Sequence, residues 1–418
     1  MILLRRALLP LVLAALAACA ALPEARVAPP AVVAAPGPVI LVSIDGFRAD
    51  YLQRGITPAI AALAADGVRS TGMRPSYPSL TFPNHYTLVT GRRPDHHGIV
   101  DNTMEDPQIP AVTFSLGNAA AVKDRRWWDD AEPLWVTAQK QGVNSGTMFW
   151  PGSEADIHGV RPKHFLAYDK KMTGDARVDQ VLAWLDLPPG ERPRFVTLYF
   201  DKVDTAGHDG GPDSEEVDAA LRETDASIAR LVEGLKARNL YGATNLVIVA
   251  DHGMAPTSPD RQVFLDDIAP KDSFRMITGG TGATIVPTPG REAEAARLVG
   301  RHPHATCWYK AKIPARYHFG THRRIPPIVC LAETRWLVTT RERAAKGKQK
   351  PGGAHGFDPY SPEMAALFVG HGPAFRRGAV IGGFDNVAVY PLLARLIGVT
   401  PLKGDGRLAD LKGALARP

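Results

Sequence analysis

Three aspartates and three histidines stand in contexts suited to metal ligation. They are Asp45 in Ile44-Asp45-Gly46, Asp204 and His208 four residues apart, the adjacent Asp251 and His252, and His355 in Gly352-Gly353-Ala354-His355-Gly356. Mixed carboxylate and imidazole donors suit zinc, and other first-row metals are compatible. Six such ligands divide into two sites of three, each leaving room for a substrate atom, as hydrolysis between two metal ions requires. Taken singly each is ordinary: an Asp-Gly after a strand is usually a turn. The joint occurrence carries the meaning. Thr81, in Ser76-Tyr77-Pro78-Ser79-Leu80-Thr81-Phe82-Pro83-Asn84-His85, adds a hydroxyl just ahead of Pro83. Proline favours the first turn of a helix, so Thr81 falls near a helix N-terminus, where amides and dipole favour a phosphate oxygen. A simple N-cap is the plainer use of that threonine. As a nucleophile it needs a base or a metal to activate it.

These residues must be held by something rigid. Val39–Ile44, Phe195–Phe200 and Asn245–Ala250 are short, apolar, β-branched runs of the kind that form strands buried on both faces. Each leads straight into polar residues: Asp45, then Asp201 and Asp204, then Asp251 and His252. The carboxyl ends of parallel strands are where open α/β sheets keep their ligands. Between the runs, Ser214–Leu240 repeats apolar residues at helical spacing behind a capping Ser214, and Pro58–Ala65, Glu132–Gln141 and Asn386–Ile397 read as further helices. The expected fold is α/β: a mostly parallel central sheet with helices on both faces. Residues 279–350 differ in character and read as a small inserted lobe, with Arg- and His-rich loops holding Cys307 and Cys330. Asp204 to His208 reads as a loop that Gly207 lets bend back.

Ile44-Asp45-Gly46-Phe47-Arg48, Tyr77–His85, Thr90-Gly91, His97-Gly98-Ile99, Asp101-Asn102, Gly207-His208, Gly211-Pro212, Asp251-His252-Gly253-Met254 and His355-Gly356-Phe357-Asp358 occur in that order. Together they resemble the bacterial nucleotide pyrophosphatase/phosphodiesterases of the alkaline phosphatase superfamily, over about Val39–Val399. The resemblance implies an alkaline phosphatase-like fold and two zinc ions. Asp204, His208 and His355 would hold the one that activates water. Asp45, Asp251 and His252 would hold the other, with the Thr81 oxygen as a further ligand. It also implies that Thr81 attacks phosphorus in line and that nucleoside monophosphate is released from a phosphothreonine intermediate. Asn102 would donate to a non-bridging oxygen, and Phe82, Tyr168 and Tyr199 would flank the base, although Phe82 and Tyr199 also suit a core. A sulfatase is disfavoured, since its nucleophile is a modified Cys or Ser followed by Pro and Arg. A phosphonoacetate-type hydrolase and a phospholipid head-group phosphodiesterase share the same constellation. A non-enzymatic surface protein would be expected to have lost at least one of these residues.

The chain has 418 residues, 45% hydrophobic and 22% charged, with a net charge of +6. That balance fits a globular enzyme and does not suggest disorder. The basic residues are scattered, with no basic-aromatic stripe, so specific nucleic-acid binding is not expected; the resemblance implies a small phosphodiester as the partner. Arg5 and Arg6 precede a short apolar run, the layout of a signal peptide over residues 1–18. Leu16-Ala17-Ala18-Cys19 looks like a lipobox, with Cys19 lipidated and the product anchored in a bacterial periplasm; ordinary cleavage at the alanines is the alternative. Residues 19–38, rich in Ala and Pro, read as a tether to a catalytic domain at 39–418. In an oxidising compartment Cys307 and Cys330 could pair, worth about 3 kcal/mol by loop closure, or remain as two buried thiols.

Overall fold

The computed structural model describes residues 37–347 and 350–416; the leader, Cys19 and nearly all of the tether lie outside them. Eight strands form the main sheet: β1 (Val39–Ile44), β2 (Val68–Ser70), β3 (Ser145–Met148), β4 (His164–Leu166), β5 (Phe195–Phe200), β6 (Asn245–Val249), β7 (Phe368–His371) and β8 (Ala379–Ile381). Their spatial order is β8-β2-β7-β6-β1-β5-β3-β4. Every pairing is parallel except those of β7 with β2 and with β6. All six residues of β1 are buried, as a strand covered on both faces requires.

The helices that matter for the site are α1 (Pro58–Asp66), α2 (Thr81–Thr90), α3 (Lys202–Gly210), α4 (Glu215–Ala237) and α5 (Val389–Ile397). α4 shows how local sequence sets an element. Ser214 caps it by accepting from Val217 N–H at 3.3 Å, Glu215, Glu216 and Asp218 occupy the first turn, and Val217, Leu221, Ile228, Leu231 and Leu235 are buried.

A second sheet is antiparallel, ordered Phe274–Thr278, Gly282–Pro287, Ile328–Ala332, Ala305–Tyr309, Gly300–His302. It has its own apolar cluster, including Leu265, Met276, Ile285, Leu298 and Ile328. The cysteines do not lie in loops. Cys307 and Cys330 face each other on adjacent strands and form a disulfide. The sequence hid this because the Arg and His residues cluster in the turn between those strands, at 316–324, and mask the short alternating runs on either side.

Candidate functional site

Register explains why distant residues meet. β1 pairs in parallel with β5 (Ile44 opposite Phe200) and with β6 (Ser43 opposite Val249). Carrying both registers past the strand ends brings Asp45 level with Asp201 and Asp251. The backbone agrees: Asp45 N–H donates to Phe200 O at 2.9 Å, and Gly46 N–H to Asp251 Oδ1 at 3.2 Å.

Asp204 and His208 do not sit on a loop. They lie one turn apart on α3, and the spacing of four is the helical repeat. The glycines that suggest a loop do different work. A Cβ at Gly207 would stand 2.9 Å from Met254 Cε, one at Gly352 would stand 2.6 Å from His208 O, and one at Gly353 would stand 2.4 Å from Gly207 O. α3 therefore presses backbone against backbone onto the Gly352–Ala354 strand that leads into His355, and no side chain fits between.

Asp204, His208 and His355 offer ligand atoms within 4.8 Å of one another. His252 Nε2 lies 2.9 Å from Asp251 Oδ2 and 3.3 Å from Asp45 Oδ1. Asp204 also groups with Asp45 and His252, so the two sets share a wall. The imidazoles are all held the same way. His208 Nδ1 faces Gly353 O at 2.9 Å, His252 Nδ1 faces Gly253 O at 2.9 Å, and His355 Nδ1 faces Ser79 O at 3.0 Å. A carbonyl only accepts, so each Nδ1 carries a hydrogen and each Nε2 is the nitrogen turned inward to meet a metal. With no metal bound, burial works against charge on His252, but Asp251 and Asp204 outweigh it and raise that imidazole, a second proton that a metal would displace.

Two features call for a cation. Asp45 Oδ1, Asp204 Oδ1 and Asp251 Oδ2 are buried without a hydrogen-bond partner. His208 Nε2 and His355 Nε2 face each other at 3.1 Å with both protons committed elsewhere. Metal ions at the neighbouring ligand groups would satisfy these atoms between them, so the residues fit metal binding. The electrostatics agree. Burial, then Asp251 and Asp204, push the Asp45 carboxyl well up, and burial lifts Asp204. Burial also works against the charge on Asp251, but His252 and His85 outweigh it and hold that carboxyl well below its usual range. Burial, with His252 and His208 adding to it, drives His355 well down.

Thr81 opens α2 as its first residue, and Leu80 takes the cap position, so Thr81 is not an N-cap. Its hydroxyl Oγ1 lies 3.3 Å from His252 Nε2 and the residue is 8% exposed, buried but not sealed from solvent. Asn102 Oδ1 accepts from Phe82 N–H at 2.9 Å, which leaves the Asn102 amide as a donor toward the cleft. Phe82 is half-buried, 5.8 Å from Phe114 and 6.0 Å from Trp128 between ring centroids. Tyr168 is exposed, and its hydroxyl donates to Asp201 Oδ2 at 3.0 Å. Tyr199 donates to Asp45 Oδ2 at 2.6 Å. Its hydroxyl is therefore committed to a ligand carboxylate, whatever its ring faces.

Sequence reasoning missed three positions, two buried and one half-buried. His85 Nδ1 stands 2.9 Å from Thr81 O and 3.3 Å from Asp251 Oδ2, with its Nε2 2.9 Å from Ser43 Oγ. Asn84 accepts from Ser76 N–H at 2.7 Å and donates to Pro78 O and Leu80 O, both at 2.9 Å, pinning the loop ahead of Thr81. Asp101, discussed below, is the third. Polar residues on the inner face of an otherwise apolar helix were the available signal for the first two.

A family model for type I phosphodiesterase / nucleotide pyrophosphatase matches residues 39–358. The chain belongs to this family. It is 38% identical over 393 residues to ectonucleotide pyrophosphatase/phosphodiesterase family member 1 of Mus musculus, covering 91% of this chain and 43% of the relative. To an uncharacterized pyrophosphatase/phosphodiesterase of Schizosaccharomyces pombe it is 37% identical over 382 residues, covering 88% and 78%. The chain thus spans less than half the length of the mouse relative. Among solved structures, murine ectonucleotide pyrophosphatase/phosphodiesterase 5 superposes with a TM-score of 0.85 at 33% identity, over 91% of this chain and 100% of that one. An inactive variant of that protein in complex with AMP gives 0.86. The fold of this family member is the α/β architecture of those structures.

Proposed function

We propose that this family member is an exported two-zinc phosphodiesterase that hydrolyses nucleotide diesters and pyrophosphates to nucleoside monophosphates through a covalent phosphothreonine at Thr81. The observation that supports it most is the set of orphaned carboxylate oxygens and facing imidazole lone pairs beside the Thr81 hydroxyl. The AMP complex of the related murine protein supports a nucleotide as substrate. Asp204, His208 and His355 would hold one zinc, and Asp45, Asp251 and His252, with Thr81, the other. When bound, the ions supply Lewis acidity and activate the attacking oxygens.

The chain's own residues do the rest. Thr81 Oγ attacks phosphorus and the alcohol or phosphate leaving group departs opposite it. Thr81 N–H, at the helix start with no backbone acceptor among the described residues, and the Asn102 amide donate to a non-bridging oxygen whose charge grows in the transition state. Phe82, Tyr168 and the Tyr199 ring bound the nucleoside side, and aromatic faces accept any base. Water then cleaves the threonyl ester, regenerating the hydroxyl.

The domain organisation we propose is a leader at 1–18, a tether at 19–38 and a catalytic domain at 39–418 with an inserted lobe at about 279–350. Export to a bacterial periplasm with lipidation of Cys19 completes the reading. No described helix is long and apolar enough to cross a membrane.

The test is Thr81→Ala assayed on the nitrophenyl ester of thymidine monophosphate, with metal content measured in parallel. Activity should vanish while metal content and melting temperature hold. A variant that turns over at the normal rate, or a wild-type protein that binds no metal, would sink the proposal. For the anchor, Cys19→Ser should release the protein from the membrane fraction.

A further inference from the structure

Asn102 sits in the segment from Gly98 to Asp106, and that segment is fastened at several points to residues 275–324, the second sheet and the turns beside it. Arg324, itself 2% exposed, donates to Gly98 O at 2.8 Å and to the Asp106 carboxylate. Arg323 Nη2 lies 3.0 Å from Asp106 Oδ2. Arg275 holds both oxygens of Glu105, at 2.7 and 2.8 Å. Nearest the chemistry is Asp101. One of its oxygens accepts from Thr103 N–H at 3.1 Å, bending the chain around Asn102. The other accepts from Thr278 Oγ1 at 3.2 Å, and Thr278 in turn contacts Thr284 Oγ1 at 2.6 Å on the neighbouring strand.

Asp101 has no Arg or Lys partner among the described residues. Burial at the wall of the cavity it shares with His208 and His355 pushes its carboxyl up to about 6. If it served only to bend the loop, Ser or Asn would do so without a buried charge. What the carboxylate adds is two acceptors at once: one bends the loop, the other ties it to the second sheet. Among the described residues, the hydrogen bond between Asn102 and α2 is the one from Phe82 N–H. The aim of its amide is therefore set jointly by α2 and by the Asp101–Thr278 tie.

We infer that Asp101 and Thr278 are positioning residues for Asn102, and that the second sheet acts as a clamp fixing the oxyanion donor against α2. This rests on the role proposed for Asn102 above. A donor displaced by a fraction of an ångström loses much of its value, because its contribution is confined to the transition state.

The experiment is a double-mutant cycle on the metal-loaded protein with the nitrophenyl ester of thymidine monophosphate. Thr278→Val and Asp101→Ala should each lower kcat by ~10-fold with KM changed less than ~2-fold, against a loss of ~100-fold for Asn102→Ala. Asp101→Asn, which keeps the acceptor for Thr103 N–H but turns an amide donor toward Thr278, should lose kcat about as Thr278→Val does. In the Asn102→Ala background, Thr278→Val and Asp101→Ala should change kcat by less than ~2-fold, because their target is gone. Losses that multiply in the double variants, or that appear only as a lower melting temperature at unchanged activity per folded molecule, would overturn the inference. If Asp101→Ala does not fold, the Thr278→Val cycle decides alone. Should Asn102→Ala itself leave activity intact, the oxyanion role fails; if it lowers activity but the cycle is additive, only the clamp fails.

Discussion

Gly46 follows the first ligand of the second metal set, and a single methyl there should disable the site without unfolding the protein. Its φ is +68°, and a Cβ would stand 3.0 Å from Asp204 Cα, 3.1 Å from Asp204 Cβ and 3.3 Å from Asp204 Oδ1. Two penalties follow. Alanine at that φ carries about 1–2 kcal/mol of left-handed strain. Carbon contacts settle near ~3.5 Å, so Asp204 must also retreat by ~0.5 Å, and it belongs to two of the three groups of candidate ligand atoms. A 1 Å misplacement can lower a rate by ~100-fold, so Gly46→Ala should lose ~10-fold or more in kcat/KM. Its melting temperature should fall by only a few degrees. Gly142 supplies the control: its φ is +76° with nothing within 4 Å of its Cβ, so Gly142→Ala bears the strain without the collision. Measured side by side for metal content, melting and hydrolysis of the thymidine monophosphate ester, only Gly46→Ala should lose activity and metal. Equal activity in the two variants would refute the argument that steric room beside Asp204 governs the site.

Tyr199→Phe removes the side-chain hydrogen bond to Asp45 Oδ2 and should weaken metal affinity by ~10-fold while leaving KM for nucleotides within ~2-fold; a KM effect alone would restore the ring to a purely stacking role. Arg324→Ala leaves the Asp106 carboxylate buried beside Arg323 alone and frees the carbonyls of Gly98, Trp127 and Arg126, so stability should fall by about 3–5 kcal/mol in a denaturant titration, and a loss under ~1 kcal/mol would contradict the buried-pair argument. Phe82→Ala should raise KM for nucleotide esters several-fold more than for a small aryl phosphodiester; equal changes would argue against base contact. Chelation should abolish turnover and lower the melting temperature, because Asp45, Asp204 and Asp251 lose their counter-charge, and an unchanged melt would mean that the three carboxylates need no cation.

Asp45 and Asp251, proposed above as ligands, were legible because a strand announces its own end: a buried, apolar, β-branched run stops just ahead of each. α3 was not legible, since Gly207, Gly210 and Gly211 read locally as a turn, and only the strand lying against the helix explains why side chains are excluded there. The strands bearing Cys307 and Cys330 were obscured in the same way by the polar turn between them. His85, Asn84 and Asp101 each combine a local hydrogen bond with a distant one, to Asp251, Asn386 and Thr278, and no local pattern encodes the distant half. Tyr199 is intermediate: the strand is evident, but its phenol reaching Asp45 depends on the β1–β5 register.

The backbone contact between α3 and the Gly352–Ala354 strand ties together two stretches of chain nearly 150 residues apart, with the Met254 side chain packed against both Gly207 and Gly353 beside it. Asp204, His208 and His355 therefore travel as one rigid body, and an arriving ion has little left to organise. Metal-free and metal-loaded protein should share the same main-chain trace there, so capture of the ion would be limited by its own dehydration and not by rearrangement of the polypeptide.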